Sequence, residues 1–246
     1  MPVVFDLDGT TIFKGQKMTS EITQAIELLS EKHQVIFASA RPIRDMLPVL
    51  PEVFYNFDLI GGNGAFTKQG ETIQTSSFTD QQIAFMLDLI ETRQLNYMMD
   101  SQWDYSFKGD TTHPLFLGVD PNNLANNIHP RELETIVKVV LFTTDKTVIS
   151  ELEEQAISVH FHGSEELIDL SPTGISKWTA FKQLGIEGNL VMFGNDTNDL
   201  PMFENANQKF VVGNLLKEVD QATYVSEEDV ARTILELAKQ TKKVLI

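Results

Sequence analysis

Hydrophobic positions recur along this chain with two different periods, and the changes of period divide it. Val3, Val4 and Phe5 form an apolar run of strand formers ahead of Asp6, as expected of a strand buried on both faces. Thr19 or Ser20 then caps a helix through about His33, with Ile22, Ala25, Ile26, Leu28 and Leu29 on one apolar stripe. Val35 to Ala38 reads as a second buried strand. Strand, helix and strand in this order predict a right-handed βαβ unit, hence parallel pairing. Asp58 to Ile60 predicts a third strand, and Phe66 to Thr75, broken at Lys68-Gln69-Gly70-Glu71, a hairpin.

The pattern changes from about residue 78 to 163. Thr79 and Gln82 form a capping box that opens a helix to about Leu95, with Ile83, Phe85, Met86, Leu87 and Ile90 available for burial. Strand-like stretches follow at Asn96 to Asp100, at the alternating Trp103, Tyr105 and Phe107, at Val137 to Thr143 and at Ile157 to Phe161. A helix from about Thr147 to Gln155 separates the last two. Residues 109 to 131, rich in Pro, Asn and Asp, predict loop. These elements form their own α/β layer.

Glu166 to Leu170 predicts a return to parallel strands, followed by a helix carrying Trp178, Phe181 and Leu184. Leu190 to Phe193, Phe210 to Gly213 and Thr223 to Val225 close the sheet, and a last helix runs from Ser226 to Lys242-Lys243.

Chemistry-bearing residues gather at strand ends, where parallel sheets bind ligands. Period-2 geometry puts Asp6 and Asp8 on one side of the backbone, and Gly9 allows the turn after them. Two like charges so close need a cation or a shared proton. A calcium loop starting at Asp6 fails on spacing, because it needs Gly at residue 11 and Glu at residue 17, where Thr11 and Lys17 stand. Ser39, just past a strand, suits a helix cap or a phosphate ligand. Gly61-Gly62-Asn63-Gly64-Ala65 fits a plain turn and matches no established nucleotide loop. Lys177 falls in a first helical turn, poorly placed for the helix dipole. In Gly194-Asn195-Asp196-Thr197-Asn198-Asp199, four Asx side chains in five residues suit either a hard cation or a capped turn.

Composition narrows the function classes. Lys plus Arg is 19 against 35 Asp plus Glu, a net charge of −16, which repels nucleic-acid backbones and anionic membranes. A small anionic substrate therefore needs a local cation. Cysteine is absent, which excludes thiolate metal sites and agrees with a reducing compartment. Without a signal-like N-terminus or an apolar run of about 18 residues, the expectation is a cytoplasmic protein.

Asp6-Leu7-Asp8-Gly9-Thr10 resembles D-x-D-G-T, the first motif of the haloacid dehalogenase-like (HAD) phosphohydrolases. The length and layout resemble the Cof-type members (subfamily IIB), which carry a large α/β cap in mid-chain. Ser39-Ala40-Arg41 resembles the second motif, with Ala40 in place of the usual Gly, and Asn63-Gly64-Ala65 resembles the Cof-type N-G-A. Lys177 falls where the third-motif lysine is found. Gly194 to Met202 resembles G-D-x-x-N-D-x-x-M, with Asn195 where the usual metal-binding Asp stands.

The resemblance implies a doubly wound parallel α/β core (residues 1–77 and 164–246) with an inserted α/β cap (residues 78–163). It implies a Mg²⁺-dependent phosphatase of small phosphomonoesters such as sugar phosphates, with Asp6 as nucleophile and Asp8 as acid and base. Ser39 and Lys177 would hold phosphoryl oxygens, and Arg41, Asn63 and Asn198 would face substrate. Asp6, Asp8, Asn195, Asp196 and Asp199 are the candidate metal ligands, Asp199 orienting Lys177 or a metal-bound water. A weakly catalytic phosphate- or nucleotide-binding protein and a sugar phosphotransferase are the alternatives. In the cap, Trp103, Tyr105, Lys108, His113 and Arg131 offer aromatic and cationic groups in an otherwise acidic protein, and some of them are expected to face the site, the others building the cap core or its solvated surface.

Overall fold

The computed structural model describes residues 1–161 and 166–239. The expected boundary at residues 163 and 164 and the expected helix end at Lys242-Lys243 lie outside the described residues. The chain forms two sheets. The larger begins with β1 (Pro2–Asp6), every residue of which is buried. Its side chains alternate between two cores. Val3 and Phe5 pack with Ile22, Ala25, Ile26 and Leu29 of α1 (Ser20–Ser30) and with Val230, Ile234 and Leu237 of α8 (Val230–Lys239). Val4 packs on the other face with Ala180 and Phe181 of α6 (Lys177–Gln183) and Met202 and Phe203 of α7 (Leu200–Asn205). Burial on both faces is what an unbroken apolar run demands, and two helical layers satisfy it.

Parallel partners flank β1: β2 (Gln34–Ala38) and then β3 (Asp58–Gly61) on one side, β11 (Val191–Gly194), β12 (Gln208–Val212) and β13 (Thr223–Val225) on the other. Phe5 lies beside Phe37 and Phe193 in this register, its ring stacked on Phe193 at 4.8 Å between centroids. The antiparallel hairpin of β4 (Phe66–Gln69) and β5 (Thr72–Thr75) extends the β3 edge. The chain winds outward from β1 in both directions, so strand order reverses between β1 and β11, the place where such sheets open a crevice at their C-terminal ends. Asp6 and Asn195 end or follow these two strands.

The smaller sheet is antiparallel throughout, in the order β7 (Tyr105–Lys108), β6 (Tyr97–Asp100), β8 (Lys138–Leu141), β10 (Ile168–Pro172), β9 (Ile157–Phe161). Met99, Val139, Leu141, Ile168 and Leu170 point to α3 (Asp80–Arg93) and α5 (Lys146–Glu154). Met98 and Val140 belong to the opposite face, which is turned toward the crevice. Thr79 caps α3 in the expected box with Gln82.

Four local readings are corrected. Glu166 to Leu170 is not a parallel strand of the core, since β10 pairs antiparallel with β8 and β9, and the chain rejoins the large sheet only after Pro172. Its alternation of Ile168 and Leu170 with Asp169 and Ser171 is the antiparallel signature. Helix α1 stops at Ser30 because Glu31 to His33 turn the chain into β2. Leu28 is 41% exposed, lying roughly 100° off the stripe at 100° per residue. Residues 109 to 131 include a short α4 (Pro114–Leu117) and a 3₁₀ turn (Pro130–Glu132), each started by Pro and capped by His113 or His129. Among the described residues no helix is long and apolar enough to cross a membrane.

Gly64 holds φ at +108°, and a Cβ there would collide with the Ser176 carbonyl at the start of α6. This close approach seats the helix that carries Lys177. Gly64→Ala is expected to destabilise the fold by about 1–3 kcal/mol in urea unfolding, and to lower turnover by shifting Lys177. Full stability in the variant would show that the turn relaxes freely.

Candidate active site

Asp6 leaves β1 into a tight loop in which the Leu7 carbonyl accepts from the N–H groups of Thr10, Thr11 and Ile12 at 3.1, 2.9 and 2.8 Å. This loop returns two hydroxyls to Asp6. Thr10 Oγ1 donates to Asp6 Oδ2 at 3.0 Å, and Thr11 Oγ1 to the Asp6 carbonyl at 2.9 Å. Both threonines are fully buried. The D-G-T run contained them, but their ordering of the carboxylate was not read from the sequence.

Lys177 is 0% exposed and donates from Nζ to Asp6 Oδ1 and to Asp199 Oδ1, each at 2.6 Å. Asp199 also spends its other oxygen, accepting the N–H groups of Asn195 at 2.9 Å and Asp196 at 3.3 Å. Burial pushes the Asp6 carboxyl up, and Lys177 only partly offsets that, leaving it at about 7. Burial alone would lower the Lys177 pKa, but Asp199 and Asp6 outweigh it and raise it. Lys177 is thus held as an ammonium, short of matching two carboxylates.

Above this triad a pocket of about 440 Å³ opens between the sheets. Asp6, Asp8, Ser39, Arg41, Asn195, Asp196 and Asn198 line its core side. Asp8 meets Arg41 in a two-pronged pair, Nε to Oδ2 at 2.7 Å and Nη2 to Oδ1 at 2.8 Å. That bond raises the Arg41 pKa. Ser39 Oγ accepts the Arg41 N–H at 3.1 Å, a local turn bond and not the expected helix cap, since the next helix starts at Ile43 without a side-chain cap, and the side chain also lines the pocket.

Two expected residues stand outside the pocket, and a third lines it with its carboxylate already engaged. Asn63 does not line the pocket: its turn conformation (φ +56°) points Oδ1 at Asn198 Nδ2, 3.1 Å away, so it braces a lining residue. Asp199 lies beneath the floor with both oxygens engaged, which sets it against direct metal ligation. Asp196 is exposed and its carboxylate accepts the Thr197 N–H at 2.6 Å, the capped-turn alternative.

The cap side holds a further surprise. Met98, Asp100, Leu115, Val119, Lys138 and Val140 line it, and none of Trp103, Tyr105, Lys108, His113 or Arg131 does. Tyr105 lies under the Arg44 guanidinium, 4.9 Å from centroid to Cζ, and Arg131 pairs with Glu91 at the surface. Lys138 and Asp100 were legible in principle, as charged residues inside two apolar strands.

Among the described residues no group of three or more His, Cys, Asp or Glu side chains is arranged to hold a metal ion. Asn195 accounts for the missing carboxylate. The donors that remain fit a hard cation nonetheless: Asp6, Asp8 and Asn195 line one pocket and all carry oxygen donors. Position 9 keeps the space open, since a Cβ on Gly9 would collide with the Asn195 amide.

An α/β core ending its central strand in a buried carboxylate over a lysine, roofed by an inserted antiparallel layer, defines a capped, doubly wound α/β protein. The chain belongs to the haloacid dehalogenase-like hydrolases, whose family model matches residues 3–233. Its cap places it with the Cof-type members. It is similar in fold to TM0651 from Thermotoga maritima, with a TM-score of 0.79 and 21% identity over 98% of this chain and 97% of that one. It is also similar to the subclass IIB sugar phosphatase BT4131, at a TM-score of 0.72 and 16% identity over 96% and 98%. BT1666 from Bacteroides thetaiotaomicron, a phosphatase of the same superfamily, gives 0.73 and 16% over 96% and 93%. No curated protein matches the sequence significantly.

Lys177→Met strands Asp6 and Asp199 as buried like charges, and is expected to destabilise the protein by about 3–5 kcal/mol. Lys177→Met with Asp199→Asn removes one of those charges and should recover part of the loss in denaturant unfolding. Equal stability of the single variant and wild type would mean that the triad does not hold the floor together.

Proposed function

We propose that the protein is a Mg²⁺-dependent phosphatase acting on small phosphorylated metabolites in the cytoplasm, through an aspartyl-phosphate on Asp6. The observation that carries this reading is the Asp6 carboxylate at the floor of a pocket between the two sheets, aligned by Thr10 and Lys177. An Asp6 oxygen attacks phosphorus as the bond to the leaving oxygen breaks, and Asp8 gives that oxygen its proton. Asp8 then takes a proton from the water that attacks the phosphoryl group, releasing phosphate and restoring Asp6. Water, not a sugar hydroxyl, is the acceptor in this reading.

Arg41 has a part in this exchange. While it grips Asp8 at both oxygens, Asp8 can only accept hydrogen bonds. An incoming phosphate dianion competes for the same guanidinium and frees Asp8, which takes up a proton from solvent before it protonates the leaving oxygen. Ser39 and Lys177 bind further phosphoryl oxygens, and Asn198, braced by Asn63, faces the substrate. Asp6, Asn195 and the Asp8 carbonyl would hold Mg²⁺, which supplies charge neutralisation where a carboxylate meets a dianion. The repulsion to be offset is on the order of 4 kcal/mol per unit-charge pair at 4 Å in a partly screened site.

Phosphate release from a panel of phosphomonoesters, with Mg²⁺ and with excess EDTA, tests the reading. Turnover is expected only with the metal, and Asp6→Asn is expected to abolish it while leaving the fold intact. Fluoroberyllate should bind wild type and not the variant. Several percent of residual turnover in Asp6→Asn would remove Asp6 as nucleophile. Because ligand charge sets affinity for a hard cation, Asn195→Asp should lower the Mg²⁺ concentration for half-maximal activity. Asp196→Asn should leave it unchanged, since that carboxylate caps Thr197. Phosphate appearing only on an added sugar would favour the phosphotransferase, and no turnover at saturating Mg²⁺ the binding protein.

A further inference from the structure

The cap wall of the pocket is set by strand register. In β6 and β8, Asp100 is paired with Lys138 and Met98 with Val140. In β10, Asp169 is paired with Val140. Period-2 alternation puts all five side chains on the crevice face, opposite the face that packs on α3 and α5. The wall is therefore an apolar patch of Met98 and Val140 with a charged patch beside it.

Each cation near the pocket is already matched. Lys138 Nζ lies 3.3 Å from Asp169 Oδ1 and 3.5 Å from the Ala40 carbonyl. Arg44, 2% exposed, donates to both Asp45 oxygens and to Asp100 Oδ1, each at 2.9 Å. Arg41 is paired with Asp8 and, in the phosphatase reading, is taken up by the transferred phosphate itself. Among the described residues no lining cation remains to neutralise a second anionic group on a substrate. Asp100 and Lys138 instead offer a carboxylate acceptor and an ammonium donor side by side. A hydroxyl satisfies both, donating to one and accepting from the other.

Resting on the phosphomonoesterase reading above, we infer that the Asp100 and Lys138 pair is the specificity determinant of the pocket, selecting an uncharged, hydroxyl-bearing leaving group and rejecting one with a second anion. The floor reads the phosphate. The wall reads what is attached to it.

The test compares a hexose 6-phosphate, the corresponding hexose 1,6-bisphosphate, 3-phosphoglycerate and p-nitrophenyl phosphate at saturating Mg²⁺ and constant ionic strength. Wild type is expected to favour the hexose 6-phosphate over the two doubly anionic esters by about tenfold or more in kcat/KM. Lys138→Met should lower kcat/KM for the hexose 6-phosphate by a similar factor, mainly through KM, and leave p-nitrophenyl phosphate nearly unchanged. Since Lys138→Met uncovers Asp169, the double variant Lys138→Met with Asp169→Asn removes both charges and should show the same selective loss. Equal preference for the bisphosphate, or a parallel loss on p-nitrophenyl phosphate in both variants, overturns the inference. If wild type hydrolyses none of the esters, the phosphatase reading fails. Calorimetric binding to Asp6→Asn then decides the inference by itself, tighter binding of the hexose 6-phosphate than of the bisphosphate sustaining it and the reverse order overturning it.

Discussion

One buried ammonium fixes the geometry on which the site depends. Lys177 sits at the first position of α6, where the helix dipole disfavours a cation, and its charge is tolerated because Asp6 and Asp199 approach it to 2.6 Å. The second oxygen of Asp199 then holds the backbone of Asn195 and Asp196, so the position of that loop is tied to the same lysine. Asn195 in turn fills the space that Gly9 leaves open. The ends of β1, β11 and α6 are thus coupled through a single cation. Apolar residues of the same volume would pack beneath the strands at no greater cost in stability, but they would not orient a carboxylate toward the pocket.

The parts of this arrangement that sequence reveals are the periodic ones and the dense ones. An apolar run such as Val3 to Phe5 has one stable environment, a strand covered on both faces, so this strand and its parallel pairing with the next followed from pattern and handedness. Asp6, Asp8, Ser39, Lys177 and the Asx-rich turn stood out because such residues are unusual at strand ends and in a first helical turn. Pairing partners across the fold are a different matter. Nothing local in Arg41 says that it faces Asp8, 33 positions away. Nothing in Asp196 distinguishes a metal ligand from a cap, because the same carboxylate serves either geometry. The strand at Ile168 to Pro172 was misassigned for a related reason: a five-residue strand is compatible with either sheet, and only its neighbours decide. The cap residues failed most clearly. Aromatic and cationic side chains were expected at the pocket, whereas they are used to build the cap or lie at its surface, and the groups that face the pocket sit within apolar strands.

The Asn195 substitution changes the charge balance of the floor. Asp6, Asp8 and Asp199 stand against Lys177 and Arg41, one carboxylate in excess. An Asp at position 195 would double that excess and bind a divalent cation more firmly, but it would also meet an arriving phosphate dianion with more repulsion. With Asn195 the pocket keeps the oxygen donor and gives up the charge. On the proposed phosphatase reading, metal and substrate affinity would therefore be traded against each other at a single side chain.

The seam between cap and core has the same character as the floor. Arg44 projects from α2 (Ile43–Met46) of the core to Asp100 on β6 and, at 2.8 Å, to the Trp103 carbonyl, while Asp45 accepts the Asp120 N–H at 2.9 Å. These contacts are buried when the two layers meet, and all are polar. Separating an apolar seam exposes hydrocarbon to water and costs free energy in proportion to area. Separating a polar seam exposes groups that water solvates well, so much of the lost attraction is recovered as hydration. A cap held by Arg44, with Val137 buried in the apolar cluster of the core, is well aligned on it. The same contacts fix the cap wall over the floor it faces, so the two sides of the pocket keep one register.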